Sequence, residues 1–238
     1  MRIPFGTQSY RLADAATLAA QRMVNCYLEA APPGSESPFY VRFCHGIKSW
    51  TTAGNDPLRG GFIRNNTLFV VSGTKAYRVS SGGTATELGT IPGAGFVDMA
   101  GDETNVLFIA DEDGYYWNGA TLAQITDPDW PGAAWCEYLD GYFIIGPPHS
   151  GSFYVTANRN PADINALDFI SAEKYPDDIV TGIVDHGELI VFGRESFEVF
   201  YNSGNADFPL DRVPSGHGEV GCASRHGPAK LDNSVFFP

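Results

Sequence analysis

One element recurs along this sequence and constrains the fold more than any other. It is a short, continuously apolar segment that ends at or near glycine or a turn. Copies occupy residues 68–73, 106–111, 142–146, 189–193 and 235–238. A strand with no polar face is one covered by other structure on both sides. Most copies are followed by a second extended segment, such as residues 75–79 and 196–201, in which polar and apolar residues partly alternate. The copies begin at Leu68, Val106, Tyr142, Leu189 and Val235, at intervals of roughly 40 residues, and a period of that size with several strands per unit is the mark of propeller blades. No Trp-Asp ending recurs, so the WD type is not indicated. Asn65-Asn66, Asp113-Gly114, Asp140-Gly141 and His186-Gly187 sit beside or between the strands, where residues that accept positive φ make tight hairpins.

These features predict an all-β chain, a β-propeller-like array of blades with an N-terminal arm. The arm and first strands span residues 1–58 and the blades residues 59–238. The fifth apolar copy reaches the last residue, Pro238, and a core strand placed there lacks its next partner. The array is therefore expected to be incomplete, truncated at its C-terminus, as the N-terminal half of a longer propeller protein. Within the arm, residues 13–23 read as a helix capped by Asp14, with an extended arm as the alternative. Residues 24–29 and 39–43 read as strands around a Pro/Gly/Ser loop, closed by a turn at Gly46. Beyond residue 60 helical periodicity is nearly absent; one helical turn is expected at 160–168, on an inserted loop.

Charge narrows the function. With 28 acidic against 15 basic residues the formal charge is −13, and no Lys/Arg cluster stands out. Sequence-specific nucleic-acid binding needs such a cluster and is not expected. The acidity suits solubility, or a surface that repels passing DNA. Only 18% of residues are charged, leaving much of the surface to Gly, Ser, Thr and Asn, as in turn-rich β proteins. The four cysteines, Cys26, Cys44, Cys136 and Cys222, lack metal-ligand spacing and read as reduced, buried thiols. No apolar run approaches the length of a membrane span.

No catalytic constellation emerges. Asp111-Glu112-Asp113-Gly114 offers carboxylates for a calcium ion, but the twelve-residue loop with its distal Glu is missing, and a solvated hairpin turn explains it better. Ala110, Glu112, Gly114 and Trp117 fall on the four positions of the sialidase Asp-box, of which two agree; even a full box is a structural turn. A sialidase also needs clustered arginines, and Arg64, Arg78, Arg159 and Arg194 are spread over several blades, so only the fold could gather them. The histidines, His45, His149, His186, His217 and His226, are isolated from one another. Residues 215–221 share only glycine content with a phosphate loop and read as an inter-blade loop.

Three stretches carry a resemblance. Residues 21–29 followed by the Pro/Gly/Ser loop and Gly46-Ile47, then residues 193–204, and then residues 221–224 with 232–237 resemble, in order, the packaged-DNA-stabilisation proteins of short-tailed phages, also called tail-hub or tail-accessory proteins. The positions that carry it are Arg22, Val24, Asn25, Tyr27, Gly46, Gly193, Ser196, Glu198, Asn202 and Asn233. The chain departs from that family in loop lengths and in Cys44-His45-Gly46, where Pro-Gly is commoner. The resemblance implies a structural virion protein of the tail, assembled in the host cytoplasm, without enzymatic activity, cofactor or metal. It implies attachment below the portal and adaptor ring, closure of the DNA exit after packaging, a homo-oligomeric ring, and a platform for tail needle and tailspike; no membrane is involved. The competing expectation is a carbohydrate-binding or glycoside-hydrolysing β-propeller.

Overall fold

The computed structural model describes residues 25–36, 38–172, 174–175, 177–205 and 208–238; the helix expected at 13–23 lies outside them. The chain divides into two compact units, Met1–Trp50 and Thr51–Pro238. The described part of the first is an antiparallel hairpin of β1 (Cys26–Ala30) and β2 (Phe39–Phe43). Its strands are those expected from the sequence.

The second unit is built from four-stranded antiparallel sheets in which each strand pairs with the next in sequence. The first blade comprises β3 (Leu58–Arg64), β4 (Thr67–Ser72), β5 (Lys75–Val79) and β6 (Ala85–Thr90). The second holds β7 (Val97–Gly101), β8 (Val106–Ala110), β9 (Asp113–Trp117) and β10 (Leu122–Gln124). In the third are β11 (Trp135–Leu139), β12 (Tyr142–Gly146), β13 (Ser152–Ala157) and β14 (Asn160–Ser171). The fourth contains β15 (Ile179–Asp185), β16 (Glu188–Gly193), β17 (Phe197–Asn202) and β18 (Leu210–Gly218). A two-stranded sheet follows, β19 (Ala229–Leu231) with β20 (Ser234–Phe236).

Every apolar copy seen in the sequence is the second strand of its sheet, and side-chain alternation explains why it has no polar face. Along β8, Val106, Phe108 and Ala110 pack with Phe69, Val71 and Trp117 at the interface of blades one and two, while Leu107 and Ile109 pack with Cys136, Phe143 and Ile145 against blade three. Along β12, Phe143 and Ile145 serve that second interface and Ile144 serves the next, where it meets Trp135, Phe153, Leu189 and Phe200. A strand in the middle of a stack must be apolar on both faces. Each fully buried large side chain contributes about 1.5–3 kcal/mol, and Phe108, Phe143, Phe153 and Phe200 are all fully buried. First strands of successive blades lie side by side, β3 against β7, β7 against β11 and β11 against β15, so the blades share an axis lined by first strands.

Turns close the hairpins where expected at Asn65-Asn66, Asp140-Gly141 and His186-Gly187, each with positive φ at its first residue. Three local expectations are corrected. The turn between β8 and β9 is Asp111-Glu112, both at positive φ, and Asp113-Gly114 already belongs to β9. Residues 160–168 form no helical turn but the start of the twelve-residue outer strand β14. That strand bears Pro161 and irregular register against β13, both tolerated at a sheet edge and both erasing the alternation a strand shows in sequence. Residues 215–218 are the end of β18 rather than loop.

Candidate functional site

First strands reach across to the neighbouring blade with ionisable side chains. Arg59 on β3 is buried; its Nε donates to Gly95 O at 2.7 Å and its Nη1 to Gly73 O and Ile91 O at 3.0 Å. Asp111 stands 3.9 Å from its Nη2. At the other end of β3, Arg64 Nε donates to Asp102 O at 2.6 Å. Carboxylates perform the reciprocal task further round. Asp98 on β7 accepts from the backbone N–H of Cys136 on β11 at 2.9 Å, and Glu137 on β11 accepts from the backbone of Val184 on β15. Burial raises both carboxyls, Glu137 to about 7, against the lowering influence of Lys230 on Glu137 and of His226 and Arg225 on Asp98. The segment leading to β19 thus brings positive charge towards the first strands, and His226 stacks on Phe96 with ring centroids 3.8 Å apart.

A second cluster joins blades three and four and contains Gly193, Ser196 and Glu198 of the positions singled out in the sequence. Ser196 Oγ donates to Asp177 Oδ1 at 2.8 Å, and Glu195 N donates to Asp177 Oδ2 at 2.8 Å. A Cβ at Gly193 would lie 2.2 Å from that same carboxylate oxygen. Glu198, buried on β17, accepts from Lys174 N at 2.8 Å and forms an ion pair with Arg212 on β18 at 2.5 Å. Arg212 also donates to Ser171 O at 2.9 Å and lies over the ring of Phe200. Asn202 ends β17 and caps Gly204 N at 2.9 Å. The later motif closes on this cluster: Cys222, buried, donates through its backbone N–H to Gly193 O at 2.9 Å, and a Cβ on Gly221 would meet the backbone of Arg194 at 2.1 Å. Phe237 packs on Phe192 at 4.6 Å. Asn233, exposed in the β19–β20 turn, lines a small apolar cleft with Phe192, Phe197 and Val235.

The structure therefore gathers Gly193, Ser196 and Glu198 with Gly221 and Cys222, and sets Asn233 with Val235 and Phe237 at the Phe192–Phe197 cleft, while Asn202 stands at the far end of β17 from Gly193. In the first unit Tyr27 lies on β1, Asn25 precedes it at positive φ, and Gly46 is exposed in the segment after β2. Arg22 and Val24 lie outside the described residues. Sequence reasoning missed Arg59, Asp98, Glu137, Asp177 and Arg212. Only Asp177 left a trace: like Asp56, it stands two positions before the first strand of its blade, and both carboxylates cover a glycine at the end of the second strand, Gly193 as its last residue and Gly73 just after it.

One groove of about 580 Å³ opens at the hairpin end of the blades, lined by Arg64, Asp102, Glu103, Tyr138, Asp140 and Arg159 among others. It brings two of the four scattered arginines together. Arg78 lies instead over Trp117, and Arg194 sits with the Ser196 cluster. Asp102 is already satisfied by the backbone N–H groups of Thr104 and Asn105 and by the Asn105 amide. Asp111, the first acid of the possible calcium turn, faces Gly93, Gly95 and Arg59. Among the described residues no group of three metal-ligating side chains converges, and the histidines stand apart.

The family model described as Bacteriophage P22 Gp10, beta-propeller, matches residues 1–237. Among curated proteins none matches the chain. Solved structures show the fold. The computationally designed Ika8 protein is 14% identical, with a TM-score of 0.52, over 90% of this chain and 65% of its own length. BamB from Moraxella catarrhalis is 13% identical, with a TM-score of 0.51, over 76% of this chain and 55% of its own length. The chain thus spans less than two thirds of the length of each of these two proteins.

Proposed function

Because the chain belongs to the Bacteriophage P22 Gp10 β-propeller family of packaged-DNA-stabilisation proteins, we propose that it is a tail-hub docking part, attached below the portal and adaptor ring. In that place it closes the DNA exit after packaging and offers a platform to needle and spikes. The family gives a virion protein that associates with other virion components; the finer assignment of partners, and a ring of copies, is our reading.

The observation that carries it is the build of the blades. Ionisable side chains in the first strands and in the blade-three/blade-four cluster are spent on backbone groups of neighbouring blades rather than on a reactive pocket. Such a stack is rigid, and it holds its connecting loops as fixed surfaces. A ring multiplies weak contacts around an axis. The acidic balance of the chain, −13 overall, suits a passage that must not hold exiting DNA. Native mass spectrometry of the chain mixed with its phage's portal–adaptor complex tests the reading: bound copies are expected, and unchanged portal–adaptor masses at micromolar concentrations would count decisively against it.

The groove bearing Arg64, Arg159, Asp140 and Tyr138 favours a second reading, a carbohydrate-binding propeller, since guanidinium and carboxylate groups around an aromatic ring match sugar hydroxyls. A glycan array decides it: silence removes this reading, and specific binding lost in Arg159→Ala supports it.

A further inference from the structure

The groove at the hairpin end of the blades holds two guanidinium groups that no carboxylate of the described residues neutralises. Arg64, at the end of β3, uses only its Nε, which donates to Asp102 O at 2.6 Å. Arg159 is exposed in the turn between β13 and β14, and its guanidinium has no hydrogen bond or ion pair among the described residues. Asp102 lines the same groove but is already engaged. Its Oδ1 accepts from Thr104 N at 2.6 Å and Asn105 N at 2.5 Å, and its Oδ2 accepts from the Asn105 amide at 3.0 Å.

One short loop holds both arginines in place. Residues 102–105 take Arg64 Nε on the Asp102 carbonyl, and the Asn105 amide donates to Arg159 O at 3.2 Å. Arg159 N donates in turn to Gly141 O at 2.7 Å, which ties its backbone to the β11–β12 turn as well. Arg159 has φ of 56°, a conformation that Gly or Asn adopts at less cost. The turn itself therefore gives no reason for an arginine at this position.

Two guanidiniums facing one space suit an oxyanion, which they bind through paired N–H donors. The rest of the lining selects among anions. Glu103 and Asp140 are exposed there, and neither is in an ion pair among the described residues. Their charge repels a phosphate dianion more than a carboxylate, and as acceptors they call for donors such as hydroxyls. Tyr138, packed on Phe143 with ring centroids 5.1 Å apart, adds a phenol. A volume of about 580 Å³ lies in the range of small-molecule sites. A ligand with one carboxylate and several hydroxyls answers each of these groups.

We propose that the Arg64–Arg159 groove binds an acidic sugar, with its carboxylate between the two guanidiniums and its hydroxyls donating to Glu103 and Asp140. This rests on the carbohydrate reading of the groove, which it narrows to a ligand class, and it is independent of the hub reading.

An amide-resolved NMR titration of the full chain tests the proposal. Sodium glucuronate represents a free sugar acid and trigalacturonate one within a polymer. Glucose, acetate and inorganic phosphate are the comparison ligands, each taken to about 50 mM. One or both sugar acids should shift the amides of residues 102–105, 140–141 and 158–160 saturably, at least tenfold more tightly than the comparison ligands; the tighter of the two identifies the source. Arg159→Gln removes a side chain that makes no other bond, so the rest of the spectrum should stay unchanged while sugar-acid binding weakens at least tenfold. Arg159→Lys keeps the charge but loses the planar fork, and should restore only part of it. Glucose bound as tightly as the sugar acids overturns the proposal and leaves the carbohydrate reading standing. Acetate or phosphate bound as tightly would make this a simple anion site and overturns it too, as does sugar-acid binding that survives Arg159→Gln. Silence of every ligand overturns both the proposal and the carbohydrate reading, and leaves the hub reading untouched.

Discussion

At the scale of single residues, the positions that carry the family resemblance in blade four are structural fasteners. Glu198 and Arg212 form one buried pair, with Glu198 2% and Arg212 34% exposed at the side chain. Removing one partner of such a pair strands the other, and with Arg212 partly solvated the cost of Glu198→Ala is expected at about 2–3 kcal/mol, read from urea unfolding. Two glycines separate crowding from backbone strain. Gly187 has positive φ and open space, so Gly187→Ala should cost about 1 kcal/mol; Gly221 faces the immobile backbone of Arg194, and Gly221→Ala should cost about 3 kcal/mol or more. Equal effects at the two positions would contradict the packing described. The Glu137 carboxyl titrates near 7 in the folded chain and in the ordinary carboxylate range when unfolded. The folded state binds that proton more tightly, so this group's contribution is full below the ordinary range and is lost as pH rises to about 7. Urea midpoints measured between pH 4.5 and 7.5 should fall with pH, and less steeply in Glu137→Gln; Asp98, raised in the same direction, leaves a residual slope.

Among elements, what the sequence revealed and what it hid have one physical cause. Second strands were legible because β8, β12 and β16 pack against neighbours on both faces, so their central residues are apolar without interruption; β4 is buried along its centre as well. Edge strands were not: β14 mixes Asn, Pro and Asp because only one side of it meets a partner strand. The interblade ties were invisible for another reason. Arg59, Asp98 and Glu137 bond backbone groups of other segments of the chain, and a backbone partner leaves no pattern in side-chain identity. The gathering of Gly193, Ser196 and Glu198 with Gly221 and Cys222 shows the converse, since the glycines required by close approach stand out in the sequence. Arg59 carries the first junction. Arg59→Met keeps the stem's volume but leaves three carbonyls without their donor, that of Ile91 buried and those of Gly73 and Gly95 partly so, and is expected to destabilise the chain by about 2 kcal/mol. Limited proteolysis should then cut near residues 91–96 first; unaltered resistance would mean that apolar packing alone holds blades one and two together.

For the whole molecule, successive meander blades share an axis, and first strands tie each blade to the next. That arrangement accounts for the position of several carboxylates among the described residues. Acids such as Asp56, Asp111 and Asp177 are consumed at the ends of strands, beside glycines that leave room for them. The docking role proposed above needs surfaces that do not yield, and these ties supply stiffness. A cryo-electron-microscopy reconstruction of the phage tail tests that claim most directly. The account predicts density for this chain's blades beneath the portal and adaptor ring, enclosing the path of the DNA. A tail in which the chain is missing from that position, or a virion preparation that lacks the chain altogether, would contradict it.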